Sequence, residues 1–217
     1  HTTIPLKSSI PITVGVENRC MTEGLNDKEA DKERQRWVDF VLSYRMTPVF
    51  GTQITPERWQ YEHSFSPWAW NDKRSIRLLN DRRYSCYMLP FFTLSENELA
   101  SLLCNIQKKG KLKESLFYIW DEPAYMEDYE QIKRKVNIIR KYASDARILT
   151  TFFCGPRNGP RKGDLYAVFD YLKHHIHVAT ISLAPCKGNE EEVQHIRYKV
   201  PEGIDWWSYV CWQPGGN

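Results

Sequence analysis

The run Leu116-Phe117-Tyr118-Ile119-Trp120 limits the possible folds more than any other stretch of the chain. Apolar and aromatic residues follow one another there without polar alternation. That is how a strand covered on both faces reads, and such strands belong to parallel sheets flanked by helices. The rest of the sequence repeats strand, then helix. Residues 12–16 read as a first strand. Asn26 or Asp27 caps a helix that places Ala30, Trp37, Val38, Val41 and Leu42 on one face. Residues 46–50 form a short second strand and residues 85–92 a third. Ser95 and Glu98 have the spacing of a capping box for a helix carrying Leu99, Leu102, Leu103 and Ile106, and Gly110 is placed to end it. The apolar run is the fourth strand. A helix over 126–142 follows, with Tyr129, Ile132, Val136 and Ile139 in register. Residues 147–153 make a fifth strand and the Gly/Pro-rich stretch 155–163 a loop. Asp164 caps a short helix bearing Leu165, Val168, Phe169 and Leu172. A sixth strand over 178–183, a helix over 189–196 and a seventh strand over 206–212 complete the pattern.

This alternation predicts an α/β fold of (β/α)8 TIM-barrel type, incomplete at about seven strands, with residues 1–217 as a single catalytic domain. An open doubly wound sheet has the same period. It loses its nucleotide-binding versions, because no G-x-G-x-x-G follows the first strand and no G-x-x-x-x-G-K-[ST] occurs. The 217 residues fall short of the roughly 250 of a complete barrel, and the chain opens on His1 and stops just past the seventh strand, so it reads as a fragment. The net charge of +3 comes without a block of like charges, which argues against a nucleic-acid tail. No segment approaches the ~20 apolar residues of a membrane span, and no signal peptide is present. Six cysteines, at 20, 86, 104, 154, 186 and 211, form no C-x-x-C pair and match no zinc spacing. Cys86 and Cys104, in apolar regular segments, read as buried reduced thiols. The cysteines leave the redox compartment open.

The densest chemical signal follows the buried strand directly, in Asp121-Glu122-Pro123. Two unpaired carboxylates are too costly to bury as core. At the C-terminal end of a barrel strand they stand where active sites are built. Pro123 is expected to hold Glu122 in an extended conformation, so that the two neighbours point to different sides. Like charges so close are expected to ionise unequally, one carboxyl keeping its proton as a general acid while the other stays anionic. The tripeptide also suits the first turn of a helix, where acids and Pro are favoured.

Aromatic residues reach 13%, with 8 Trp and 12 Tyr, and several lie near predicted loops. Flat apolar faces beside hydrogen-bonding groups suit a sugar-binding cleft. The irregular stretch 51–83 holds His63, Trp68 and Trp70, candidates for a cleft wall or a purely structural loop. Glu17 and Asn18 follow the first strand and could bind sugar hydroxyls or cap a loop. Trp207 and Tyr209 share one face of the seventh strand, with Trp206 opposite, and could stack on a sugar or pack in the core. His174, His175 and His177 lie at a helix-to-strand connection, the face away from a barrel's active site, so neither a metal nor any other cofactor is expected.

The segment from Tyr118 to Pro123 resembles the acidic motif of glycoside hydrolase family 123, the β-N-acetylgalactosaminidases, and their relatives. The run from Asp205 to Cys211, with Pro214 and Asn217, resembles that family's late Trp-rich strand, and residues 6–17 resemble the opening of its barrel. The resemblance implies a β-N-acetylhexosaminidase acting by substrate assistance, through an oxazolinium ion, with Asp121 stabilising the 2-acetamido nitrogen and Glu122 as general acid and then base. It implies a glycan or glycoconjugate partner, N-acetylgalactosamine as the sugar, and a secreted, periplasmic or cell-surface location. Substrate assistance is an exception to the scheme of two separated carboxylates. The chain departs from the family in lacking its N-terminal β-sandwich, an eighth strand and an acidic residue near Ala179 or Thr180. Two alternatives stay open: a glycosidase pairing Glu122 with a distant carboxylate such as Glu17 or Asp205, and a non-catalytic carbohydrate-binding scaffold.

Overall fold

The structure, a computed structural model, describes residues 12–17, 22–55, 58–61, 77, 79–90, 95–182 and 190–209. The chain divides into two compact units, residues 1–90 and 91–217. In the first, β1 (Thr13–Glu17) lies parallel to β2 (Thr47–Thr55), and the crossover between them carries helix α1 (Asp27–Ser43). Asn26 opens α1: its Oδ1 accepts from the backbone N–H groups of Lys28 and Glu29, both at 3.1 Å, and Glu29 accepts in return from the Asn26 N–H at 3.2 Å. This reciprocal cap satisfies donors that helical bonding leaves open. The buried stripe of α1 is Ala30, Val38, Val41 and Leu42, at the spacing expected from the sequence.

An additional strand in the predicted loop changes the first unit. β3 (Arg58–Tyr61) turns back antiparallel on β2, pairing Gly51 with Tyr61 and Thr55 with Arg58. The first sheet therefore has the order β1-β2-β3. β1 covers one edge of β2 along Thr47–Gly51, and β3 covers the other from Gly51 to Thr55. Among the described residues β4 (Tyr87–Pro90) is not hydrogen-bonded into this sheet and belongs to a second one. The remaining strands form a five-stranded parallel sheet in the order β4, β5 (Ser115–Trp120), β6 (Arg147–Phe152), β7 (Val178–Ser182) and β8 (Asp205–Tyr209). The TIM-barrel prediction is thus corrected: the architecture is α/β, but the described strands form a three-stranded sheet ending in an antiparallel hairpin and a five-stranded parallel sheet, not one barrel of about seven strands.

In the second unit, α2 (Glu96–Lys108) buries Leu99, Leu102, Leu103 and Ile106. Gly110 ends it at φ 65°, while the Lys111 N–H reaches the Ile106 carbonyl at 3.1 Å. Cys104 falls off the buried stripe and is exposed, against expectation; Cys86 is buried, and both are reduced thiols. Strand β5 (Ser115–Trp120) is buried along its length except at half-buried Trp120. Each Leu, Ile or Phe fully buried there contributes about 1.5–3 kcal/mol of transfer free energy. Helix α3 (Met126–Tyr142) buries Tyr129, Ile132, Val136 and Ile139, the register read from the sequence. Strand β6 (Arg147–Phe152), helix α4 (Ala167–Leu172), strand β7 (Val178–Ser182), helix α5 (Glu190–Lys199) and strand β8 (Asp205–Tyr209) follow. The pairs β5–β6, β6–β7 and β7–β8 are parallel. Among the described residues, no helix is long and apolar enough to cross a membrane.

Candidate functional site

Register decides which side chains share a sheet face. Leu149 pairs with Val178 and Thr151 with Thr180; Thr180 in turn pairs with Trp207. Thr151, Thr180 and Trp207 therefore form one row across three strands, on the face that also carries Leu149. Tyr118, paired with Leu149, belongs to that face. Two residues further along β5 the register has slipped: Trp120 is paired with Thr150 instead of Thr151. The irregularity turns Trp120 to the opposite face, where the Lys135 ammonium of α3 lies 4.7 Å from its ring centroid. It also returns the next residue, Asp121, to the face of Tyr118 and Thr151. Re-aiming a side chain at a strand end is a common use of a β-bulge.

Two hydroxyls fix Asp121. Tyr118 donates to its Oδ1 at 2.5 Å and Thr151 to the same oxygen at 2.7 Å. Each hydroxyl has one proton, so once both are donated to Asp121 the 3.1 Å separation between Tyr118 Oη and Thr151 Oγ1 is a contact of two oxygens. Among the described residues, no bond is made to the other oxygen, Oδ2. Thr151 also accepts from the Glu122 backbone N–H at 3.0 Å. A single threonine hydroxyl thus ties both members of the acidic pair to β6. Both carboxylate residues are exposed.

Glu122 corrects one expectation. Its φ is 46°, in the left-handed region, and not extended as the following proline suggested. The bulge and the bond to Thr151 turn the chain out of the strand within one residue. Buried Pro123 then enters the tightly tied loop before α3. A non-glycine residue held in this region costs of order 1–3 kcal/mol, and such strain clusters at functional sites.

The loop beneath the pair is cross-braced. Asp128 Oδ2 accepts from the N–H groups of Ala124 at 2.8 Å and Tyr125 at 2.9 Å. Asn158 Oδ1 accepts from Met126 N–H at 2.7 Å, and Arg157 N–H donates to the Ala124 carbonyl at 2.8 Å. The loop after β6 is closed by Gly155 and Gly163, with Gly155 N–H donating to the Gly163 carbonyl at 3.0 Å. Arg157 is shifted above the ordinary guanidinium range by the Cys154 and Tyr125 side chains. Two exposed aromatics, Tyr125 and Phe153, stand on these same two loops.

Of the residues singled out in the sequence, Asp121 and Glu122 stand together at the C-terminal end of β5. Trp207 is half-buried and shares the Thr151–Thr180 row; Tyr209 closes β8 in register with Ser182. Glu17 ends β1 in the other unit, and Asn18, His63, Trp68 and Trp70 lie outside the described residues. Asp205 is the first residue of β8 and bonds Arg147, the first residue of β6, at 2.7 Å. It is thus at the N-terminal end of its strand, opposite to the acidic pair, and cannot serve as the distant carboxylate. His177 serves the backbone: its Nδ1 accepts from the Ile148 N–H at 3.2 Å. Among the described residues no group of three or more His, Cys, Asp and Glu side chains stands close enough to hold a metal ion. Reading the sequence missed Tyr118, Thr151, Tyr125, Phe153 and Thr180. The signal available was hydroxyl residues inside otherwise apolar strands.

No protein-family profile matches the chain, and no curated protein is significantly similar to it.

Proposed function

We propose that the second unit carries the acidic pair of a glycoside hydrolase that removes β-linked N-acetylhexosamine by substrate assistance. The observation that carries this reading is the fixing of Asp121 through one oxygen only, beside a second exposed carboxylate, at the C-terminal ends of parallel strands. Asp121 Oδ2 is suited to accept the N–H of a 2-acetamido group. The acetamido oxygen then attacks the anomeric carbon and forms an oxazolinium ring, while the glycosidic bond breaks and Glu122 gives its proton to the departing oxygen. Water next adds to the anomeric carbon, returns a proton to Glu122 and reopens the ring. The charge developing on the acetamido nitrogen meets a carboxylate already held by two donors, so little reorganisation is required. The aromatic residues Tyr125, Phe153 and Trp207 supply faces of the type sugars stack on. A mechanism pairing Glu122 with Asp205 is disfavoured, because Asp205 is engaged by Arg147 at the other end of the strands. N-Acetylgalactosamine as the sugar rests on the resemblance of residues 118–123 and 205–211 to family 123.

The reading is tested by hydrolysis of chromogenic β-N-acetylgalactosaminide and β-N-acetylglucosaminide by the protein and by Asp121→Asn and Glu122→Gln. Each substitution should lower kcat/KM by orders of magnitude, and azide should rescue Glu122→Gln on activated substrates. Near-wild-type turnover in either variant refutes the assigned roles.

A further inference from the structure

Thr180 carries a buried hydroxyl with no visible purpose in the fold. The residue is 7% exposed, and its Oγ1 is closed off from solvent with no hydrogen-bond partner among the described residues. A buried donor left without a partner destabilises a protein, and such groups require an explanation. Strand register places this one beside the acidic pair: Thr180 is the β7 partner of Thr151, whose hydroxyl donates to Asp121 Oδ1 at 2.7 Å.

We propose that Thr180 is a substrate-contacting residue whose hydroxyl donates to the carbonyl oxygen of the 2-acetamido group. This rests on the reading of the acidic pair given above. The geometry suits an amide. In a trans amide the N–H and C=O point in opposite directions, with nitrogen and oxygen about 2.3 Å apart from standard bond lengths. An amide bonded at both ends therefore bridges groups roughly 7 Å apart once two hydrogen bonds of about 2.9 Å are added and bent. Adjacent strands lie ~4.8 Å apart, and Asp121 stands on the β5 side of Thr151 while Thr180 stands on the β7 side. Asp121 Oδ2 can thus take the N–H and Thr180 the carbonyl of one acetamide. In the present rotamer Oγ1 is covered, so the residue's small exposed area belongs to its other atoms. A step of about 120° in χ1 carries the hydroxyl to the position that the methyl now holds.

Thr150 provides an internal control. Its Oγ1 is likewise buried without a partner, but it pairs with Trp120 and Ala179 on the opposite face of the sheet. Thr180→Val and Thr150→Val each remove an unpaired hydroxyl at constant shape, and both should raise the melting temperature. Only Thr180→Val should weaken substrate binding, lowering kcat/KM on the β-N-acetylhexosaminide by about 3- to 10-fold, the loss of one neutral hydrogen bond. The same fold-change should appear in N-acetylgalactosamine affinity by calorimetry. If Thr180→Val and Thr150→Val leave kcat/KM equally unchanged while Asp121→Asn abolishes it, the Thr180 assignment is wrong and the reading of the pair stands. A lowered melting temperature in Thr180→Val means that the hydroxyl is already bonded in the folded protein, which also overturns the assignment. A wild-type protein that neither turns over the substrate nor binds N-acetylgalactosamine overturns both.

Discussion

Replacing Thr151 by Val tests whether one hydroxyl holds the acidic pair in place. The substitution keeps the β-branched shape that suits β6 and removes two hydrogen bonds, a 2.7 Å donation to Asp121 and a 3.0 Å acceptance from the Glu122 N–H. A bond to a charged group contributes about 1.5–3 kcal/mol and a neutral one about 0.5–1.5 kcal/mol. Both Asp121 and Glu122 are exposed, so water replaces part of each bond and the low ends apply. The loss also releases Glu122 from φ 46°, which returns some of the strain. The net cost should be about 1–2 kcal/mol, a fall in melting temperature of roughly 2–8 °C for a protein of this size. Activity should suffer more, because a carboxylate misplaced by about 1 Å can cost about 100-fold. Thr151→Ser keeps the hydroxyl and should retain most of both properties. Thermal melts and kcat/KM on the β-N-acetylgalactosaminide would be measured for all three proteins. If Thr151→Val melts with the wild type and turns over at its rate, the hydroxyl positions nothing and the reasoning fails.

Two further outcomes follow from other parts of the structure. A Cβ added at Gly155 would lie 1.8 Å from the Asp164 carbonyl oxygen, which is backbone and cannot swing away, so Gly155→Ala should force the 155–163 loop open. A loss of at least ~3 kcal/mol in urea unfolding is expected, and a variant within ~1 kcal/mol of wild type would show the close approach to be dispensable. His177 is held below its ordinary value of 6.5 by burial first, then by Arg140 and Arg147, and half-buried His175 shifts the same way. The unfolded chain therefore takes up these protons first: the stabilisation is complete above about pH 6.5 and is lost as pH falls through the lower folded-state values. Melting temperature should drop below about pH 6.5, and His177→Asn, which keeps an acceptor for the Ile148 N–H without titrating, should flatten part of that drop. An equal slope in the variant would remove His177 from the account.

Much of the second unit is legible locally. The bounds of α3 and its buried Tyr129, Ile132, Val136 and Ile139 follow from a 3.6-residue period, and β5 from an unbroken apolar run. The Asn26 cap and Gly110 terminus follow from the chemistry of helix ends. These features depend on neighbours a few residues away. The adjacency of Asp121 and Glu122 is likewise given by covalent connection alone.

Tertiary pairing decided the rest. Nothing local in residues 51–61 announced that β3 would pair antiparallel with β2, or that the strands would divide into two sheets instead of one barrel. Periodicity reports which residues favour burial, whereas sheet closure depends on which distant edge pairs with a strand most favourably. The same holds at the acidic pair. The one-residue slip of β5 against β6 brings Asp121 to Thr151 and turns Trp120 away, and Glu122 is left-handed despite the proline after it. A bond between residues 30 positions apart supplied the force, and only the folded sheet could bring its two ends together.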